Sequence, residues 1–168
     1  MQAILEAISG HSFHPGSTEA LRLFHGRGHC YEGLAHINVD LLGPVLLITL
    51  YRPETLDALG PLVGTAKNQG MAAVAVQHRY QQTGPVEWLW GEPRTTLVVT
   101  EHGLQFELQL GQSQNMGLFL DMANGRRWVR EHARHCNVLN LFAYTCGFSV
   151  AAMAGGADTV VNLDMSKG

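Results

Sequence analysis

Cysteine is scarce and unpaired in this sequence: Cys30, Cys136 and Cys146 are three in 168 residues, an odd number at wide spacing. That pattern excludes a disulfide framework and points to free thiols in a reducing compartment, hence a cytoplasmic protein. Long apolar runs are missing as well. No stretch approaches the roughly 20 residues that a membrane-crossing helix requires, and the first residues lack the basic start and cleavage pattern of a secretory signal. Positive charge is not in excess either: 11 Lys and Arg against 14 Asp and Glu leave a net charge of −3. Contact with nucleic acid therefore has to come from local patches. Two glycine signatures are absent, G-x-G-x-x-G and the lysine-bearing phosphate loop, so nothing offers a pyrophosphate close backbone approach. Two histidine clusters, His25/His29/Cys30 and His132/His135/Cys136, each lack the second half of a paired zinc spacing. No metal is assigned.

What is present is core. Hydrophobic residues make up 46% of the chain, enough for a packed protein rather than a disordered tail. The chain divides into three parts. Residues 1–30 read as a leader, with a short helix over 1–8 and an apolar–basic stretch over 20–24. Residues 31–111 read as a small α/β domain with strands over 35–39, 44–51, 71–77, 86–90, 95–100 and 104–110. The last alternates with period two, Leu104, Phe106, Leu108 and Leu110 on one face, and Glu101-His102-Gly103 makes a hairpin of the final pair. Leu56, Leu59, Val63 and Ala66 lie at helical spacing, although Gly60-Pro61 is expected to break that helix in two. Trp88 and Trp90 fall on one strand face with Val86 and read as core. Residues 112–168 form the third part. Over 121–134 a helix is expected, with Asp121 in its first turn and Arg126, Arg130 and Arg134 in one solvated basic stripe. Arg22, Arg27 and the histidines of loop 24–30 are candidate RNA contacts.

Residues 138–164, VLNLFAYTCGFSVAAMAGGADTVVNLD, carry the most specific signal. An apolar run of strand length (138–142) is broken by Tyr144, Thr145, Cys146 and Gly147, followed by a helical stretch ending at Gly155 and Gly156. A β-branched run (159–163) closes on Asp164. Ligands of open α/β sheets bind outside the carboxyl ends of the strands, and a carboxylate roughly 20 residues past the first turn commonly holds a ribose. Asp164 stands seventeen residues after Gly147. The unit reads as half of a nucleoside-cofactor site. Lacking phosphate-binding glycines, it suits S-adenosylmethionine, with the ribose on Asp164 and the rest along the turn from Phe142 to Gly147. The plainer alternative is an ordinary βαβ unit in which Asp164, with Ser166, caps the next helix.

Two motifs then carry a family resemblance. Gly117-Leu118-Phe119-Leu120-Asp121 and Asn140-Leu141-Phe142-Ala143-Tyr144-Thr145-Cys146-Gly147-Phe148 resemble the class I S-adenosylmethionine-dependent methyltransferases of large-subunit ribosomal RNA. The run Tyr31-Glu32-Gly33-Leu34 and the hairpin before Gly111 resemble that family's small central domain. The likeness extends from about Arg22 to the end. It implies an α/β fold: a small α/β central domain followed by the first strands of a Rossmann-like methyltransferase domain. It also implies S-adenosylmethionine as cofactor, ribosomal RNA as partner, and a cofactor set of Phe119, Asp121, Asn140, Phe142, Tyr144, Thr145, Gly147, Asp164 and Met165. Two departures stand out. Cys146 replaces the family's first turn glycine, and Met122-Ala123-Asn124 replaces its arginine-bearing continuation.

The family's sheet needs more strands than the two found here, and no D/N-P-P motif or catalytic cysteine motif occurs. The chain is therefore read as the amino-terminal part of a longer enzyme, truncated as the next helix begins at 165–168. Its catalytic residues are not assigned. The two parallel strands are apolar on both faces, which predicts self-association or local disorder after about Gly111 and admits a homodimer. The functional readings are an RNA methyltransferase acting on cytosine C5 or guanine N2, a non-catalytic nucleic-acid-binding module, and a NAD- or flavin-type Rossmann protein.

Overall fold

The computed structural model describes residues 1–14 and 16–165, so the helix start expected at 165–168 and the capping role of Ser166 fall largely outside the described residues. The chain forms two compact units: residues 1–100 with 107–116, and residues 101–106 with 117–168. No helix among the described residues is long and apolar enough to cross a membrane.

The first unit is a five-stranded sheet in the order β1-β2-β3-β4-β5. Its strands are β1 (Ala20–His25), β2 (Ile37–Leu42), β3 (Val45–Leu50), β4 (Ala73–His78) and β5 (Val86–Gly91). Only β3 and β4 pair in parallel, and the crossover between them is α2 (Leu56–Asn68). With period-two alternation, Ile37, Val39 and Leu41 share a face with Leu46, Ile48, Leu50, Val74 and Val76. That face packs on Leu59, Leu62 and Ala66 of α2 and on Ile4 and Ile8 of α1 (Gln2–Ser9). Residues 1–30, read as a leader, thus supply a core helix and an edge strand. The β1 strand was not foreseen. It is secured by Arg22, which donates to both carboxylate oxygens of the cross-strand residue Asp40, at 2.8 and 3.2 Å.

Two further expectations change. Helix α2 runs unbroken through Pro61. Gly60 has no Cβ to clash with the proline ring, and Asp57, Gly60 and Pro61 all lie on the exposed side, where water can satisfy the carbonyl that proline leaves without a donor. Trp88 and Trp90 do not share a face. A register shift pairs them with consecutive residues Ala75 and Val74, which puts them on opposite sides of β5. The α2 start is capped by Thr55, whose hydroxyl accepts the Ala58 N–H. The Thr55 N–H and His36 beside Glu54 hold that carboxyl below its ordinary range.

Strands β6 (Thr96–Glu101) and β7 (Leu104–Gln109) form the expected hairpin. Its two turn residues, His102 and Gly103, both have positive φ (49° and 79°), as a two-residue loop matched to strand twist requires. The segment after it is held by Arg79, which donates to the Gln114 carbonyl at 2.9 Å and the Asn115 side chain at 2.6 Å.

In the second unit a 3-10 turn (Leu120–Met122) leads into α3 (Ala123–His132). The helix therefore starts two residues later than expected, and Asp121 belongs to the turn before it. Strands β8 (Asn137–Leu141) and β9 (Thr159–Leu163) pair in parallel, residue for residue, around α4 (Gly147–Ala154). Ala133, Ala152 and Ala157 form a small core with Val129, Val138 and Val160. The opposite sheet face is open: Leu139, Leu141, Val161 and Leu163 are 51–62% exposed.

Candidate cofactor site

The turn from β8 into α4 is built against backbone preference. Phe142, Tyr144 and Cys146 all adopt positive φ (56°, 48° and 62°), a region that disfavours residues with a Cβ and gathers at functional sites. The alternation folds the chain back on itself. Ala143 N–H bonds the Leu163 carbonyl at 3.2 Å and Cys146 N–H bonds the Ala143 carbonyl at 2.7 Å. Cys146 is also the residue that caps α4 in the left-handed conformation, where the family resemblance placed a glycine. Cys146→Gly is expected to raise stability by up to about 1 kcal/mol, the left-handed penalty less glycine's greater unfolded freedom. The urea midpoint reads it; a lower midpoint would mean that thiol packing outweighs backbone strain.

Asp164 sits at the carboxyl end of β9, and its Oδ2 accepts the Tyr144 N–H at 2.7 Å. The carboxylate therefore fixes the turn. An ionised carboxylate has about four acceptor sites. The preceding segment reaches the same place: Thr145 Oγ1 donates to the Gly117 carbonyl, and the Phe119 and Tyr144 rings lie 5.5 Å apart, tilted by 49°. Both rings are about two-fifths exposed. The structure thus brings Phe119, Tyr144, Thr145 and Asp164 together, from three separate stretches of sequence.

The remaining candidates are placed differently. Phe142 (79% exposed) and Met165 (89%) extend into solvent. Asp121 is exposed in its 3-10 turn. Gly147 opens α4, and a Cβ there would meet Arg126, Leu118 and Phe106 only at ordinary contact distance. Asn140 is committed to the sheet: its amide donates to Ser149 Oγ at 2.8 Å and Asn162 Oδ1 at 3.2 Å, and Ser149 donates to Asn162. This polar cluster ties β8, β9 and α4 below the turn.

The basic stripe is corrected. Arg126 is 4% exposed and forms a two-pronged ion pair with Glu101, both bonds 2.7 Å. Arg130 donates to the His102 carbonyl at 2.7 Å. Of the three arginines, Arg134 alone is exposed. Helical spacing marked Arg126 as notable, but no local signal names a partner 25 residues away.

The set suits S-adenosylmethionine chemically. It offers a carboxylate for ribose hydroxyls, aromatic rings for an adenine or a sulfonium, and the N-terminus of α4, whose first-turn N–H groups favour a carboxylate.

Comparison with known proteins agrees. The sequence model of the family described as S-adenosylmethionine-dependent methyltransferase matches residues 21–168. Ribosomal RNA large subunit methyltransferase I of Alteromonas mediterranea is 27% identical over 168 residues, covering 96% of this chain and 42% of that protein. Ribosomal RNA large subunit methyltransferase K/L of Pseudoalteromonas translucida is 39% identical over 143 residues, covering 79% of this chain and 20% of that one. Among solved structures, a protein described as a methyltransferase and crystallised with S-adenosylhomocysteine superposes with a TM-score of 0.76 at 26% identity, covering 90% of this chain and 40% of that one. The chain thus spans less than half the length of these relatives.

Proposed function

This chain belongs to the S-adenosylmethionine-dependent methyltransferase family, and from that premise we propose that its second unit holds the methyl donor for modification of large-subunit ribosomal RNA. The observation that carries the reading is the junction of Phe119, Tyr144, Thr145 and Asp164 at the carboxyl ends of β8 and β9. When bound, S-adenosylmethionine supplies an electrophilic methyl group on a sulfonium. The chain's own residues bind and orient. Asp164 accepts from the ribose hydroxyls while holding the Tyr144 backbone. Phe119 and Tyr144 would flank the adenine or methionine side. Gly147 keeps the start of α4 free of a side chain. Asn140 acts from below, by securing the strands that carry the turn.

The acceptor in this reading is a base of ribosomal RNA, at cytosine C5 or guanine N2, and the site of action is cytoplasmic. Support comes from the names of the relatives, which are ribosomal RNA methyltransferases. Methyl transfer requires donor and acceptor held in line and close together. The 168 residues carry donor-side features and no D/N-P-P or cysteine acceptor motif.

The test has two arms. Calorimetric titration with S-adenosylmethionine, S-adenosylhomocysteine and NAD is expected to show binding of the first two and none of the third. Incubation of this chain with labelled S-adenosylmethionine and deproteinised ribosomal RNA is expected to give no transfer above background. Preference for NAD would sink the donor assignment. Catalytic methylation by these 168 residues would overturn the absence of an acceptor side.

A further inference from the structure

We infer that Arg126, clamped by Glu101, is a positioning residue that sets Phe119 against Tyr144 and so shapes the donor site. This inference rests on the cofactor reading above. All the residues concerned lie in the second unit. The Arg126 guanidinium spends Nε on Glu101 Oε1 and Nη2 on Glu101 Oε2, each at 2.7 Å, and both side chains are 4% exposed. The same Nη2 also donates to the Phe119 carbonyl at 2.9 Å. The rings of Phe106 and Phe148 stand 6.0 and 5.9 Å from the guanidinium carbon. A second tie runs alongside: Arg130, one helical turn on, donates to the carbonyl of His102, next to Glu101.

A buried ion pair is a poor source of net stability, because desolvation offsets most of the attraction and apolar replacements are often neutral. What it supplies here is direction. A planar fork that grips a carboxylate in two places has little rotational freedom left, so its third bond fixes the Phe119 carbonyl. The Phe119 ring then faces Tyr144, whose N–H rests on Asp164. The sequence Glu101, Arg126, Phe119, Tyr144, Asp164 is one continuous set of contacts. Arg126 acts through Phe119.

The experiment uses the 168-residue chain with two variants. Arg126→Lys keeps a charge opposite Glu101 but cannot hold both carboxylate oxygens and the Phe119 carbonyl. The double variant Glu101→Leu/Arg126→Met removes both charges together, so neither is left buried alone. Each is read three ways: urea unfolding, the NMR contact between the Phe119 and Tyr144 rings without ligand, and titration with S-adenosylhomocysteine. Folded variants are expected to lose or weaken the ring contact and to bind S-adenosylhomocysteine at least about fivefold more weakly, the scale of one aromatic contact. An intact ring contact in either folded variant overturns the inference, whatever the stability does. Should the unaltered chain fail to bind S-adenosylhomocysteine, the cofactor reading falls, and the ring contact still decides the positioning role. Should the double variant fail to fold, Arg126→Lys decides.

Discussion

Asp164→Ala is expected to lower affinity for S-adenosylmethionine at least about tenfold. Two ribose hydrogen bonds to a charged acceptor are lost, each worth about 1.5–3 kcal/mol, and about 1.4 kcal/mol is already a factor of ten. The structure adds a complication, because Asp164 also accepts the Tyr144 N–H at 2.7 Å. Alanine therefore removes the ligand contact and loosens the turn in one step. Asp164→Asn separates the two: its amide oxygen can still accept the Tyr144 N–H, while the charged acceptor for ribose is gone. Asparagine is expected to keep the turn and still bind several-fold more weakly. Calorimetry on both variants checks this, and affinities unchanged from the unaltered chain would leave Asp164 as a turn brace only.

Gly155→Val is expected to destabilise the second unit by roughly 1–3 kcal/mol, the usual cost of forcing atoms into a packed contact. The conformation is not at fault, since Gly155 has an ordinary right-handed helical φ of −82°. The space is. A Cβ at Gly155 would lie 2.1 Å from the Arg130 carbonyl oxygen and 2.9 Å from its carbon, both backbone atoms that cannot rotate away. Helices α3 and α4 touch there, and only glycine permits the approach. Gly156→Ala is the informative companion. Its nearest neighbour would be the Arg134 side chain at 3.6 Å, an ordinary contact, but its φ is +87°, so about 1 kcal/mol of backbone penalty is expected instead. Urea unfolding of the two variants should rank the steric substitution as the more damaging. The reverse order would mean that the helices separate easily.

Most of this architecture was legible from local pattern. Alternating residues announced β7, and the burial of Leu108 and Leu110 beside exposed Gln105, Glu107 and Gln109 agrees. The run from 138 to 164 announced a strand, a turn, a helix and a strand in order, because each element is longer than its own repeat and is ended by glycine or a polar break. Even the glycine pair after α4 reads correctly, Gly155 at the helix end and Gly156 in the left-handed region. What misled was composition taken over too short a window. Residues 20–24 looked like a basic stretch of a leader, although the arginine among them is cancelled by Asp40 on the neighbouring strand. Pro61 looked like a break, although the carbonyl it strands faces water.

By itself, the sequence determined which segments are strands and helices and which family's motifs they carry, since both depend on neighbours within a turn or two. It also placed a carboxylate, Asp164, at the end of a strand. Only the tertiary structure decided what those residues face. It joined Phe119 to Tyr144 and Thr145 to Gly117, set Trp88 and Trp90 on opposite sides of β5 through one extra residue, and turned Arg126 from a surface charge into a buried clamp on Glu101. The physical reason is range. Periodicity fixes the face a residue presents, whereas burial and charge pairing depend on a partner that the chain brings back from far away.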